Sequence, residues 1–239
     1  MGTKYNPSIV RNSLALYLDA ANPRSYPGTG NTCYDLSLNN NRGTFSSVNF
    51  AGIGATGAFV FDGATSFINL GTTNGGNVTT SWTLESWIRP TTAGEGNSGR
   101  VFQHSSGSIS GFICSLDNSA VSNGIQLNTY ALSGFSARVG NCITNNSWQQ
   151  VVWAFSPGSV TFYVNGAAVG TSSITSPSSY TGSDFIGNNS ASATNTFNGS
   201  IGIVRLYRNT LTAAEIKQNY DAFKGRYSTG GAGGLQEPQ

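Results

Sequence analysis

Residues 148–166, WQQVVWAFSPGSVTFYVNG, constrain this fold more than any other stretch. Residues 148–155 and 160–164 are rich in β-branched and aromatic side chains, which suit a packed, pleated surface, so both runs read as strands. Between them stand Ser156, Pro157, Gly158 and Ser159. Proline presets one turn dihedral and glycine accepts a positive one, so the chain reverses there. Asn165 and Gly166 supply a second, tighter reversal of the hairpin type, leading into residues 167–170. Three consecutive antiparallel strands follow from this stretch alone.

The same grammar runs through the rest of the chain. Residues 14–18 form a first strand, and 59–61 and 67–70 flank Asp62, Gly63, Ala64 and Thr65 as a hairpin. In residues 82–88, alternation puts Trp82, Leu84, Ser86 and Ile88 on one face and Thr83, Glu85 and Trp87 on the other. Both faces hold a large apolar group, so this strand is expected to be central and covered on both sides. Short strands such as 112–116 and 125–130 recur between polar turns, the pattern of a sandwich, and no internal repeat points to a propeller or solenoid. The one convincing helix spans 213–224. Thr212 and Glu215 are placed to form a capping box, Ile216, Tyr220 and Phe223 share an apolar face, and Gly225 ends it.

Four stretches in order carry a family resemblance: Phe61-Asp62-Gly63 with Phe67-Ile68, Trp82 to Ile88, the hairpin ending Tyr163-Val164-Asn165-Gly166, and Phe197-Asn198-Gly199-Ser200-Ile201 running into Val204-Arg205-Leu206-Tyr207. Together with the closing helix they resemble the laminin G-like branch of the concanavalin A-like jelly roll over residues 14–224. That resemblance implies an all-β, antiparallel two-sheet jelly-roll sandwich with one short C-terminal helix. Residues 14–45, with Ser25-Tyr26-Pro27-Gly28 and Tyr34-Asp35-Leu36-Ser37, look more narrowly like the opening of laminin G-like domains of bacteriophage virion proteins. The organisation expected is an N-terminal arm over 1–12, one domain over 13–225 and a C-terminal tail over 226–239.

Composition narrows the function. Charged residues are only 9% of the chain and the formal net charge is +2 without a Lys/Arg cluster, so no field is available to hold a phosphate backbone, and nucleic acid is not an expected partner. No apolar run is long enough to span a bilayer, and the first residues lack the apolar stretch of a signal peptide; synthesis in a host cytoplasm is expected, with no membrane partner. Cys33, Cys114 and Cys142 are an odd count without CxxC spacing. Buried free thiols are the main reading, a Cys114–Cys142 bridge or a link to another subunit the alternatives.

Catalysis is not expected. Glycan-cleaving enzymes of this fold set carboxylates two and four residues apart along a strand, and no two of the ten acidic residues here lie within five positions of each other. Glu85 reads as a partly buried acid paired with Arg89 or Arg205, and His104, the only histidine, as an ordinary strand-end residue. No cofactor is expected. Calcium is the open question, since relatives of the fold bind it: Asp19, Asp62, Asp117 and Asp184 each sit at a strand end, but no segment has clustered acids, and turn capping is the plainer role.

The resemblance and the absence of catalytic signals together imply a non-enzymatic virion structural protein, a capsid decoration or a tail or fibre component, adhering to other virion proteins and to copies of itself. Tyr5 and Asn6 at one end and Arg226 and Tyr227 at the other are the candidate docking arms. The alternative is a carbohydrate-binding module that attaches to a host surface polysaccharide. Such a site needs aromatic platforms beside hydrogen-bonding loops, and Tyr26, Tyr34, Tyr130 and Tyr180 are the candidates.

Overall fold

The computed structural model describes residues 8–52, 57–72, 80–105, 109–131, 134–188 and 195–227. Two antiparallel sheets of eight strands face each other. The first runs β14 (Ala167–Ser173), β13 (Ser159–Val164), β12 (Gln149–Ser156), β7 (Trp82–Pro90), β16 (Asn198–Tyr207), β5 (Ala58–Asp62) and β4 (Asn49–Ala51), with β1 (Leu14–Asp19) also paired to β16. The second runs β11 (Gly134–Val139), β10 (Gly124–Ala131), β9 (Ser110–Asp117), β8 (Arg100–Ser105), β15 (Asp184–Ile186), β6 (Phe67–Gly71), β3 (Arg42–Ser46) and β2 (Thr32–Tyr34).

The expected hairpin is present in register, with Val151 opposite Val164 and Phe155 opposite Val160. Its turns use the residues that permit them: Gly158 has φ 87°, and Asn165 and Gly166 have φ 52° and 77°. Trp82 forms the centre of the core, stacked on Phe112 at 4.0 Å and Phe155 at 5.3 Å. Those partners come from opposite sheets, so one side chain ties both layers. Trp153 does the same with a hydrogen bond, its Nε1 donating to the Gln126 carbonyl of the facing sheet at 2.9 Å.

β7 is central as expected, and its second face is covered by α1 (Ala213–Tyr227). The capping box forms: Glu215 N donates to Thr212 Oγ1 at 3.3 Å and Thr212 N to Glu215 Oε2 at 2.8 Å. The helix does not stop at Gly225, because Tyr227 drops onto Trp87 with ring centroids 4.4 Å apart and buries there. Beneath the helix lies a buried polar network. Arg205 Nη2 donates to Glu85 Oε1 at 2.9 Å, Gln150 Nε2 donates to the same oxygen at 2.8 Å, and Asn219 Nδ2 donates to Glu85 Oε2 at 2.7 Å. Glu85 therefore pairs with Arg205 of the two arginines expected for it. Asn219 also accepts from Val10 N at 2.8 Å, fastening the segment before β1 to the helix.

The C-terminal arm expected from residue 226 is corrected at its start. Arg226 donates to Asp19 at 2.8 Å and Tyr227 packs on Trp87, so both are used by the chain's own fold. Tyr5, Asn6 and residues 228–239 lie outside the described residues. Cys33 and Cys114 are buried free thiols and Cys142 is a half-buried one.

Candidate functional site

With α1 closing the outer face of the first sheet, the outer face of the second is the remaining broad surface. Its composition follows from strand alternation. In β9, Phe112, Cys114 and Leu116 enter the core, which turns Ile113, Ser115 and Asp117 outward; in β10, Ile125 and Leu127 enter it, which turns Gln126, Asn128 and Tyr130 outward. Directly opposed residues share a face. One row therefore crosses the whole sheet: Thr32, Thr44, Asn69, Phe185, Gln103, Ile113, Asn128 and Ser136. A second, shorter row holds Arg100, Ser115, Gln126 and Arg138.

Exposure along the long row is lowest at its centre. Phe185, Gln103 and Ile113 are buried, Asn69 and Asn128 are half-buried, and Thr44 and Ser136 are exposed. The face is thus a trough, with its floor on β15, β8 and β9 and its walls on β10 and β11 to one side and β6 and β3 to the other. A bulge shapes the floor. Arg100 pairs with Ser115 but Phe102 pairs with Cys114, so Val101 is the extra residue. Val101 and Phe102 both pack in the core and Arg100 is left pointing outward.

The floor carries polar groups with unused capacity. Gln103 Nε2 donates to the Ser105 carbonyl at 3.3 Å, but among the described residues Gln103 Oε1 and Ser115 Oγ have no hydrogen-bond partner, although each residue is 1% exposed. Gln126 Nε2 donates to Ser98 Oγ at 2.5 Å, drawing the 95–99 turn over one end. Arg100 donates to Asn188 Oδ1 at 3.2 Å. Burial holds its guanidinium below the usual range, offset in part by nearby Tyr130 and Glu95. Arg138 is neutralised differently, its Nε lying 3.0 Å from Asp117 Oδ2.

Of the four tyrosines singled out by sequence, Tyr130 reaches this site. It stands between Gly111 and Gly134 in adjacent strands, and its ring leans so far over Gly134 that a Cβ there would lie 3.3 Å from Cε1. With glycine opposite it on each side, no directly opposed side chain covers the ring. Burial raises its hydroxyl pKa, and Arg100 opposes that shift. Tyr34 lies on the same face at the far edge strand, 42% exposed, with Arg42 5.7 Å from its ring centroid. The whole width of the sheet separates the two. Tyr26 corrects the expectation: it is a core residue, packed against Phe45, Phe50 and Phe59, with its hydroxyl donating to the Gly30 carbonyl at 3.0 Å. Tyr180 sits edge-on against His104 at 5.0 Å with its hydroxyl donating to Ser183 O at 3.1 Å, at an end of the sandwich. His104 is at a strand end as expected, and its Nδ1 is 2.6 Å from Asp184 Oδ1.

The four strand-end aspartates go separate ways. Asp62 Oδ1 accepts from the amides of Ala64, Thr65 and Ser66 at 2.8 to 3.0 Å, Asp117 caps Ser119 and Ala120, Asp19 holds Arg226, and Asp184 holds His104. Among the described residues no three His, Cys, Asp or Glu side chains converge.

A family model described as the concanavalin A-like lectin/glucanases superfamily matches residues 62–217, more than half of the chain. The protein belongs to that superfamily. Within it, the fold is shared with the binding domain of Paraclostridial Mosquitocidal Protein 1, at 15% identity and a TM-score of 0.66 over 87% of this chain and 52% of that one. The botulinum neurotoxin serotype D binding domain matches at 16% and 0.65, over 87% and 51%. Domain 4 of AbnA, a GH43 extracellular arabinanase from Geobacillus stearothermophilus, solved in complex with arabinotriose, matches at 17% and 0.62, over 88% and 100%. The superfamily member described here spans about half the length of the two toxin binding domains and all of the arabinanase domain. No curated protein matches its sequence.

Proposed function

We propose that this protein is a carbohydrate-binding module and that its ligand lies along the trough on the outer face of the second sheet. The observation that carries the reading is the long cross-strand row, which sets the amides of Asn69, Gln103 and Asn128 around Phe185 and Ile113, with Tyr130 on the wall. Amides match the paired donor and acceptor character of sugar hydroxyls, and an aromatic ring packs on the apolar face of a pyranose or furanose. The arabinanase domain with arabinotriose supports a saccharide ligand for a chain of this shape. On this reading the protein binds and does not cleave: Asp117 is tied to Arg138, and Glu95 accepts from Thr196.

The test is a glycan array followed by calorimetry on the best hit. Saturable binding that falls about tenfold or more in Tyr130→Ala or Asn128→Ala is expected from the loss of one central contact. An array without a hit, or binding indifferent to both substitutions, overturns the assignment. The rival placement, a virion structural protein adhering to capsid or tail subunits, has the opening at residues 14–45 in its favour. On that reading the same module is carried on a particle surface, and detection in purified particles by mass spectrometry is its test.

A further inference from the structure

We infer that the glycan taken by this trough carries a carboxylate, as a uronic acid residue does, and that Arg100 receives it. The inference rests on the carbohydrate-binding reading and adds the class of sugar to it. Arg100 is a cation of this face that forms no ion pair among the described residues. Its row partner at the other end, Arg138, has Asp117 at 3.0 Å. Its hydrogen bond goes to the neutral amide oxygen of Asn188. Glu95, near enough to influence its charge, accepts from the Thr196 amide at 3.4 Å and its hydroxyl at 3.3 Å instead.

A half-buried guanidinium that has no counter-ion among the described residues is a costly arrangement unless something anionic meets it, because desolvation removes water without replacing the charge. The bulge at Val101 is what puts it there; a regular β8 would carry the chain past this position without turning two consecutive residues into the core. Next to Arg100 along its row is Ser115, whose hydroxyl has no hydrogen-bond partner among the described residues, and neither has Gln103 Oε1 on the neighbouring row. Buried polar atoms without a partner are costly to a fold, so two of them beside a cation that forms no ion pair among the described residues mark a place built for a polar, anionic occupant. A carboxylate fits the planar guanidinium fork with two parallel hydrogen bonds, leaving ring hydroxyls of the same sugar to reach the amide row and the Tyr130 ring.

The experiment is calorimetry at low salt with the full chain, using oligogalacturonate and oligoalginate, each beside its carboxyl-reduced neutral counterpart. The expected result is a preference for the acid form of about ten- to hundredfold, shrinking as salt is raised. Arg100→Gln should abolish that preference, and Arg100→Lys should keep part of it, since it retains charge and loses the fork. If Arg100→Gln fails to fold, as near-ultraviolet circular dichroism would show, the wild-type comparison of acid and reduced forms still decides. Equal affinity for both forms, or binding only to neutral glycans, overturns the inference and leaves the carbohydrate-binding reading intact. Binding to no saccharide of either kind overturns both.

Discussion

Replacing Arg205 with methionine should be among the most damaging single changes in this protein, and the reason is the carboxylate it leaves behind. Arg205 is fully buried and Glu85 is 1% exposed, with 2.9 Å between Nη2 and Oε1. Burial works against the Arg205 charge, and Glu85, Tyr207, Tyr17 and Asp19 together still raise its pKa. Without it, Glu85 retains the neutral donors Gln150 and Asn219 but no counter-charge. Breaking a buried pair in this way costs about 3–5 kcal/mol. At roughly 2–4 °C per kcal/mol for a domain of this size, the midpoint of thermal unfolding should fall by roughly 6–20 °C. Glu85→Gln should cost a similar amount by stranding the guanidinium, while its amide oxygen can still accept from Asn219. The double variant removes both charges, so its loss should be smaller than the sum of the two by about 2 kcal/mol or more. Urea unfolding of the four proteins with a shared m-value measures the cycle. Additive losses, or single variants costing less than about 1 kcal/mol, would refute the view that the Glu85–Arg205 pair beneath α1 is held together by its charges and leave packing as the whole explanation.

Other outcomes follow from the same geometry. Asp62 lies well below the ordinary carboxylate range: its slight burial would raise the pKa, but three amides and the Ser66 hydroxyl donating to it outweigh that. A depressed folded-state pKa stabilises above the unfolded value, so its contribution should be present at neutral pH and fade as pH drops below about 4; Asp62→Ala should lose stability at pH 7 and show a weaker acid dependence than wild type in urea titrations. Thiol labelling of the native protein should modify Cys142 first, because Cys33 and Cys114 are fully buried and burial pushes the Cys33 thiol up to about 12; labelling of all three at equal rates would contradict the core. Thr212→Ala should cost about 1 kcal/mol through loss of the capping box, read by chemical denaturation, and on the carbohydrate-binding reading should leave glycan affinity unchanged because the helix lies on the opposite sheet.

What the sequence conveyed well was whatever depends on alternation and local turn chemistry. The hairpin through Gly158 and Asn165, the two-sided burial of β7 and the capping of α1 are each decided within a few residues, so a reader of the chain can find them. Asn219 was invisible because its role comes from Val10, Glu85 and Tyr207, far apart along the chain. Tyr26 misled for the opposite reason: it lies in a stretch with the composition of a loop, yet three phenylalanines from three other strands or loops close around its ring. The trough was half legible. Residues 124–131, GIQLNTYA, alternate apolar with amide or hydroxyl side chains, which announces a strand with one polar face. That Asn128 would stand beside Ile113, Gln103 and Phe185 depends on register across β8, β9 and β15, and that Arg100 would join them depends on a bulge one residue long. A site made by cross-strand neighbours carries no sequence motif of its own, since each strand contributes one or two residues and the order of strands in the sheet is not their order in the chain. In this sandwich, polar residues alternating within a strand reveal an outward row, whereas a tyrosine in a loop does not reveal whether its ring enters the core, as Tyr26 does.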